Sequence, residues 1–177
     1  MYGIHRKTLP AKIFILLMQI IYVLIDYKWI TPHLTSTMAI NMFLLILITF
    51  IRLNSMMFIW LPRGISWKEA IRNSLAFGLY YLGFPILAIW SSFNLVWFGW
   101  LLFIIGSSVN SLSELLRKPF KADPNNKGKL YTGGLFKYAV HINYFGDVLW
   151  VLGFAIVTGN IWSLLIPIML LCMFVFS

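Results

Sequence analysis

The fold of this chain is decided by long apolar stretches, of which residues 34–53 are the clearest. They read LTSTMAINMFLLILITFIRL and hold one charged side chain, Arg52. A helix needs about 17–25 mostly apolar residues to cross the roughly 30 Å hydrocarbon core of a bilayer. Continuous apolar runs also favour helices over a β-barrel, whose strands alternate apolar and polar residues. The stretch therefore predicts a transmembrane helix.

Five further stretches of the same kind lie on either side of it. The predicted spans cover about residues 11–30, 34–53, 74–90, 93–112, 143–158 and 161–177. The composition agrees with this count, because 60% of the 177 residues are hydrophobic and 11% are charged, whereas a soluble domain carries about 25% charged residues. We therefore predict an all-α, polytopic membrane helix bundle with about six transmembrane helices, built as a single membrane domain over residues 1–177.

The basic residues predict how the bundle is oriented. With six spans, only Lys28 of the 14 Lys and Arg residues falls on the opposite side from the others. The others lie at or before the start of the first span, from the end of the second span to the start of the third, and between the fourth and fifth: Arg6, Lys7, Lys12, Arg52, Arg63, Lys68, Arg72, Arg117, Lys118, Lys121, Lys127, Lys129 and Lys137. Cytoplasmic loops carry such an excess, so both termini are expected to be cytoplasmic.

Charge and cysteine content narrow the classes of partner. The net charge of +9 is explained by membrane orientation and by contact with anionic lipids, so nucleic acid is not expected as a partner. A single cysteine, Cys172, excludes an intramolecular disulfide scaffold and a metal site built on several thiolates. We therefore expect membrane lipids as partners and no metal.

Most polar residues that could carry chemistry lie in or beside the inner loop, about residues 113–142. If the fourth helix continues into this loop, Asn110, Glu114 and Arg117 share one of its faces. The loop is basic and rich in glycine, and the backbone of Gly133 and Gly134 could approach an anion closely. These residues fit a cytosol-facing pocket for an anionic or nucleotide-like ligand, but equally a solvated loop with a turn before the next helix.

Asp147 is the ionisable residue placed deepest in the fifth span. It shares a helix face with Asn143 and would lie about one turn inside the bilayer, where a charged group is costly unless it is paired or faces a wet cavity. Its expected partners are Arg117 and Lys118 from the neighbouring helix. This pair would either shape a pocket or simply join the two helices.

Three short motifs in this region resemble those of known membrane enzymes. They are Arg117-Lys118-Pro119, the run Gly133-Gly134-Leu135-Phe136-Lys137-Tyr138, and Asn143-Tyr144-Phe145-Gly146-Asp147. Together they are similar to the C-terminal domain of the steroid 5-alpha-reductases and to the bacterial DUF1295 membrane proteins. Isoprenylcysteine carboxyl methyltransferase is a more distant relative. The resemblance covers about residues 110–150.

This resemblance implies an integral membrane reductase that uses NADPH to reduce an activated C=C bond of a hydrophobic, lipid-soluble substrate. In the reductases the matched arginine, asparagine and acidic residue hold NADPH, and in this chain they are Arg117, Asn143 and Asp147. Asn110 occupies a position that is polar in the reductases too, and His141 matches the motif histidine of the bacterial and methyltransferase branches. Lys118, Gly133 and Gly134 are expected to help hold the phosphates.

The catalytic residues are less clearly indicated. The reductases use an acid and a tyrosine in their N-terminal half to polarise the substrate carbonyl. The second predicted span contains no Asp or Glu, so we name no acid. Tyr80 and Tyr81 are the nearest phenols and are the candidates for the proton donor.

The chain also departs from the family pattern. Val140 replaces the motif arginine, Ile142 the proline and Asp147 the glutamate. The sequence reaches Ser177 within an apolar run, where these relatives continue into a cytosolic tail, so we expect that tail to be absent. Two alternatives therefore stay open: a methyltransferase of the isoprenylcysteine carboxyl type that uses S-adenosylmethionine, and a non-catalytic membrane protein that keeps the fold.

Overall fold

The computed structural model describes residues 8–60, 64–126 and 128–176, which form helices and connecting turns with no strand among them. The α-helices are α1 (Leu9–Ile25), α2 (Ser36–Ser55), α3 (Trp67–Gly78), α4 (Phe84–Ala88), α5 (Val96–Ala122), α6 (Ile142–Thr158) and α7 (Leu165–Val175). Wider π-helical turns extend α1, α2 and α3 over Asp26–Ile30, Met56–Trp60 and Leu79–Gly83. Short 3-10 turns cover Thr31–His33, Pro124–Asn126, Gly134–Lys137 and Ile161–Leu164.

The predicted all-α membrane protein is confirmed. Three helical segments are long and apolar enough to cross a membrane, namely Leu9–His33, Ser36–Trp60 and Val96–Ala122. Two shorter apolar helical segments follow at Ile142–Thr158 and Ile161–Val175. The count of six crossings and the cytoplasmic termini stay predictions. Arg6, Lys7, Arg63 and Lys127, used in the charge argument, and Ser177, the end of the last predicted span, lie outside the described residues.

Local sequence explains where several helices begin and end. Thr35 caps α2 by accepting a hydrogen bond from the Met38 N–H at 3.3 Å, and Ser66 caps α3 by accepting from the Glu69 N–H at 3.2 Å. Gly159 ends α6 in the left-handed conformation, with a φ of 68°, which favours glycine.

The fourth predicted span is longer than expected. The hydropathy predicts residues 93–112, but α5 continues to Ala122, so the first part of the predicted loop is helical. In this extension Arg117 lies three residues after Glu114 and Lys121 lies seven residues after it. Both cations pair with the Glu114 carboxylate along the helix. Pro119 lies inside α5 close to its end, and because it has no N–H it cannot donate to the carbonyl oxygen of Leu115.

Contacts divide the chain into two compact units, Met1–Ser91 and Ser92–Ser177, so the single domain over residues 1–177 stays a prediction. In the first unit α1 packs against α3. An apolar cluster includes Ala11, Ile15 and Met57, and farther along α1 the buried face turns polar at Gln19 and Asp26.

In the second unit α5 and α6 pack along their length in opposite directions. Glycines make this possible, because a Cβ added at Gly106 would lie 2.3 Å from the backbone nitrogen of Trp150. A Cβ added at Gly153 would lie 2.3 Å from the backbone nitrogen of Phe103. The two backbones are therefore close enough that short polar side chains can bridge them. α7 packs against α6.

Candidate functional site

The site in the second unit begins with one face of α5. Because α5 runs through Ala122, Asn110, Glu114 and Arg117 lie on a common face as the spacing predicts. Asn110 is fully buried and Glu114 is 6% exposed. A buried carboxylate is costly unless it is paired, so its partners define the site.

The N-terminal turn of α6 supplies a second set of polar groups. The side-chain amide of Asn110 donates to the carbonyl oxygen of Asn143 at 3.1 Å. The side-chain amide of Asn143 in turn donates to Oε1 of Glu114 at 3.1 Å. These bonds join α5 to α6 through two of the predicted site residues and Glu114, which the matched motifs did not assign to the site.

Two cations from α5 complete the surroundings of Glu114. Nη2 of Arg117 binds Oε1, and Nζ of Lys121 lies 3.4 Å from Oε2. Lys118 is half-buried on the same helix. We call Asn110, Glu114, Arg117, Lys121 and Asn143 the polar network.

Arg117 and Asp147 each have a partner within their own helix. Arg117 binds Glu114, one turn away on α5. Asp147 accepts a hydrogen bond at Oδ1 from the indole nitrogen of Trp150 at 3.0 Å, within α6. The predicted ion pair between Asp147 and Arg117 or Lys118 stays a prediction. The three-residue spacing between Glu114 and Arg117 is the sequence feature that could have predicted their pairing.

Aromatic side chains hold the following loop against the end of α5. The guanidinium carbon of Arg117 lies 4.7 Å from the ring centre of Phe136, within the range of a cation–π contact. Phe136 packs against Tyr131 with ring centres 5.5 Å apart, and Tyr131 against Phe120 at 5.0 Å. Arg117 is thus held by a carboxylate and by an aromatic ring.

The two adjacent glycines have a packing role. Gly134 has a φ of 56°, and a Cβ there would lie 2.9 Å from Cδ1 of Leu116. A Cβ at Gly133 would lie 2.9 Å from the Tyr131 ring. The left-handed backbone therefore favours glycine at position 134, whereas a Cβ at position 133 would meet a side chain. The expected phosphate contacts of both glycines stay a prediction.

His141 is exposed at the residue before α6. Its ring stacks on Tyr144 with centres 5.1 Å apart, and Tyr144 stacks on Phe174 at 4.3 Å. These contacts fix the orientation of the imidazole. Its expected role in cofactor binding stays a prediction.

In the first unit the two candidate phenols have different surroundings. Tyr80 is buried and stacks on Phe84 with ring centres 6.2 Å apart. Tyr81 is fully buried and donates a hydrogen bond from its hydroxyl to Oε1 of Gln19 at 2.8 Å. Gln19 also pairs with Asn54, whose side-chain amide donates to the same oxygen at 3.1 Å.

Gln19 and Asn54 are not among the residues that the sequence motifs predict. The feature that could have shown them is the presence of polar side chains within apolar spans, which is expensive and often functional. Arg52, which was counted as a loop charge, is also buried and interacts electrostatically with Tyr81.

Comparisons with known proteins agree with the motifs. No solved structure matches this chain. A curated protein from Ustilaginoidea virens, named "Probable O-methyltransferase ustE", is 42% identical over 62 residues, which are 35% of this chain and 22% of that protein. The chain thus matches about a fifth of that relative's length. The family model described as "Protein of unknown function (DUF1295)" matches residues 74–177, and the chain belongs to the DUF1295 family.

Proposed function

We propose that this chain is an integral membrane reductase that uses NADPH to reduce an activated C=C bond of a lipid-soluble substrate. The observation that carries the proposal is the environment of Arg117. Its guanidinium is bound to a buried carboxylate and packs on an aromatic ring, and the whole side chain is 19% exposed. A guanidinium held in this way is ordered before a ligand arrives, which reduces the entropy lost on binding.

The donors of the polar network fit a cofactor that carries phosphates. Arg117 has five N–H donors, of which Glu114 engages Nη2 while Nε has no hydrogen-bond partner among the described residues. Lys118 and Lys121 add two positive charges on the same helix, so the cations outnumber the single carboxylate. Arg117, Lys118 and Asn143 would hold the cofactor, which when bound supplies a hydride.

A second candidate function is supported by the name of the curated relative. A methyltransferase would bind S-adenosylmethionine, which has no phosphate and carries a positive sulfonium. An excess of cations attracts a polyphosphate and repels a sulfonium, so the charges around Arg117 favour NADPH. The motif departures at Val140 and Ile142 support a third candidate, a non-catalytic membrane protein of the same family.

The reduction also needs a proton donor, and we propose Tyr81 for this role. Its hydroxyl is buried and already oriented by Gln19 at 2.8 Å. A neutral phenol is a suitable donor to a carbonyl oxygen on which negative charge develops. Tyr80 is the weaker candidate, because the structure shows its ring packed between Phe77 and Phe84.

Calorimetry on the purified protein in detergent tests the cofactor. We expect NADPH to bind and S-adenosylmethionine not to bind. Arg117→Ala should weaken NADPH binding by roughly 10- to 100-fold, because a charged hydrogen bond is worth about 1.5–3 kcal/mol. Lys129→Ala is the matched control, since it removes an exposed loop cation outside the polar network.

Two results would contradict the reductase. One is binding of S-adenosylmethionine without binding of NADPH, which would favour the methyltransferase. The other is equal NADPH affinity for the wild type and Arg117→Ala, which would remove Arg117 from the cofactor site. If neither NADPH nor S-adenosylmethionine binds, the non-catalytic protein is favoured.

A further inference from the structure

Glu114 has partners at both of its carboxylate oxygens. It is 6% exposed. Its Oε1 accepts from Arg117 and from the amide of Asn143, and its Oε2 faces the ammonium of Lys121 at 3.4 Å. One carboxylate therefore fixes two cations of α5 and ties both to α6.

This arrangement orders the two cations more than exposed basic side chains on a helix are ordered. Long basic side chains lose considerable rotamer freedom when they are ordered. Arg117 and Lys121 are one turn apart on α5, and both reach back to Glu114. The ring of Phe136, 4.7 Å from the Arg117 guanidinium, limits movement on another side. The two cations are brought together although their charges repel each other.

We propose that Glu114 is a positioning residue that holds Arg117 and Lys121 together as a binding site for a phosphate group. The inference rests on the proposed function, in which NADPH supplies the phosphates, and it assigns a role to a residue outside the matched motifs. Glu114 does not touch the phosphate. It acts through the cations, whose donors not used by Glu114 bind the phosphate oxygens.

Removing the charge of Glu114 should change phosphate affinity in opposite directions for a positioning role and for simple electrostatic repulsion. A carboxylate beside an anion site repels the anion. Removing its charge would therefore strengthen phosphate binding if Glu114 had no positioning role. If Glu114 positions the cations, the same change weakens binding although the net charge of the site becomes more positive.

The experiment measures binding of inorganic pyrophosphate and of NADPH to Glu114→Gln in detergent. Glutamine keeps the size of the side chain and an oxygen that can accept from Asn143, so the helix pair should stay folded. We expect roughly tenfold weaker binding of both probes in a protein that still folds, although its melting temperature falls because the charge pairing is lost. Asp123→Asn is the matched control: it removes the same charge from an exposed residue just beyond α5, and it should leave affinity unchanged or slightly higher.

A double variant separates positioning from a general effect on the fold. If Glu114 acts through the two cations, Glu114→Gln should weaken pyrophosphate binding less in an Arg117→Ala background than in the wild type, because only Lys121 is then left for it to position. Additive losses would show an independent structural role and overturn the proposal. Equal or tighter pyrophosphate binding by Glu114→Gln, or no binding by the wild type, would also overturn it.

The two probes separate this inference from the proposed function. If pyrophosphate binds in a manner that depends on Glu114 but NADPH does not bind, the positioning role stands and the NADPH reductase fails. If NADPH binds and depends on Arg117 but not on Glu114, the positioning role fails and the cofactor assignment stands.

Discussion

The buried hydroxyl of Tyr81 allows its catalytic and structural roles to be separated. Tyr81→Phe removes the donor to Gln19, while Oε1 of Gln19 still accepts from Asn54 at 3.1 Å. The loss of one such bond should cost only about 1 kcal/mol of stability. If Tyr81 is the proton donor, NADPH oxidation with a lipid-soluble enone should stop in this variant while NADPH still binds.

Unfolding in detergent and an absorbance assay of NADPH measure the two effects. Tyr27→Phe is the matched control, because Tyr27 is 72% exposed, and it should change neither stability nor turnover. Turnover by Tyr81→Phe close to that of the wild type would remove Tyr81 as proton donor. A stability loss equal to that of Tyr27→Phe would show that the bond to Gln19 contributes nothing.

Individual residues also show how far the site could be predicted from sequence. Asn110, Glu114 and Arg117 lie within one helix, so their common face follows from helical periodicity alone. Gln19 and Tyr81 are 62 positions apart, and their contact depends on how α1 and α3 pack. Asp26 lies near the end of the first predicted span, but the structure buries it. The burial of Asp26 depends on tertiary packing, which the local sequence pattern does not predict.

At the scale of elements, the contact between α5 and α6 rests on glycine. Gly106→Ala and Gly153→Ala would each place a Cβ 2.3 Å from backbone of the facing helix, and backbone cannot move aside as a flexible side chain can. We expect each variant to lose about 1–3 kcal/mol of stability or more, as overpacking does. Unfolding by denaturing detergent, followed by tryptophan fluorescence, measures the loss.

The control for this prediction is another helical glycine with more space. A Cβ added at Gly78 would lie 3.4 Å from the side chain of Tyr22, which is ordinary contact. Gly78→Ala should therefore be neutral, or stabilising by up to about 1 kcal/mol through helix propensity. Equal effects of Gly78→Ala and Gly106→Ala would show that the close approach of α5 and α6 is not what limits stability.

The positions of the helices were largely predictable, but some of their ends were not. Apolar runs of span length located helical segments because lipid leaves the backbone few other structures. The end of α5 was missed because hydropathy falls after Leu112 while helical pairing continues through Glu114, Arg117 and Lys121. The π-helical turn at Leu79–Gly83 has no hydropathy pattern that would distinguish it from an α-helix.

At the scale of the whole molecule, the distribution of basic residues predicts a membrane topology that can be tested. The basic residues cluster in alternate connections between the predicted spans, and such residues are retained on the cytoplasmic side. Segments as long and apolar as Leu9–His33, Ser36–Trp60 and Val96–Ala122 are long enough to cross the bilayer. Six crossings would place the loop that follows α5 inside and the connection at Ser91 and Ser92 outside.

Labelling of single cysteines in intact cells checks this topology. In a Cys172→Ser background, a membrane-impermeant maleimide should label Ser92→Cys in intact cells and Lys129→Cys only after the cells are permeabilised. Both positions are exposed in the structure, so access depends on the side of the membrane. Labelling of both in intact cells would contradict six crossings, because one span must then fail to cross. Labelling of Lys129→Cys alone in intact cells would show the opposite orientation. The loop that follows α5 would then lie outside the cell, and a cytosolic nucleotide could not reach Arg117 through that loop.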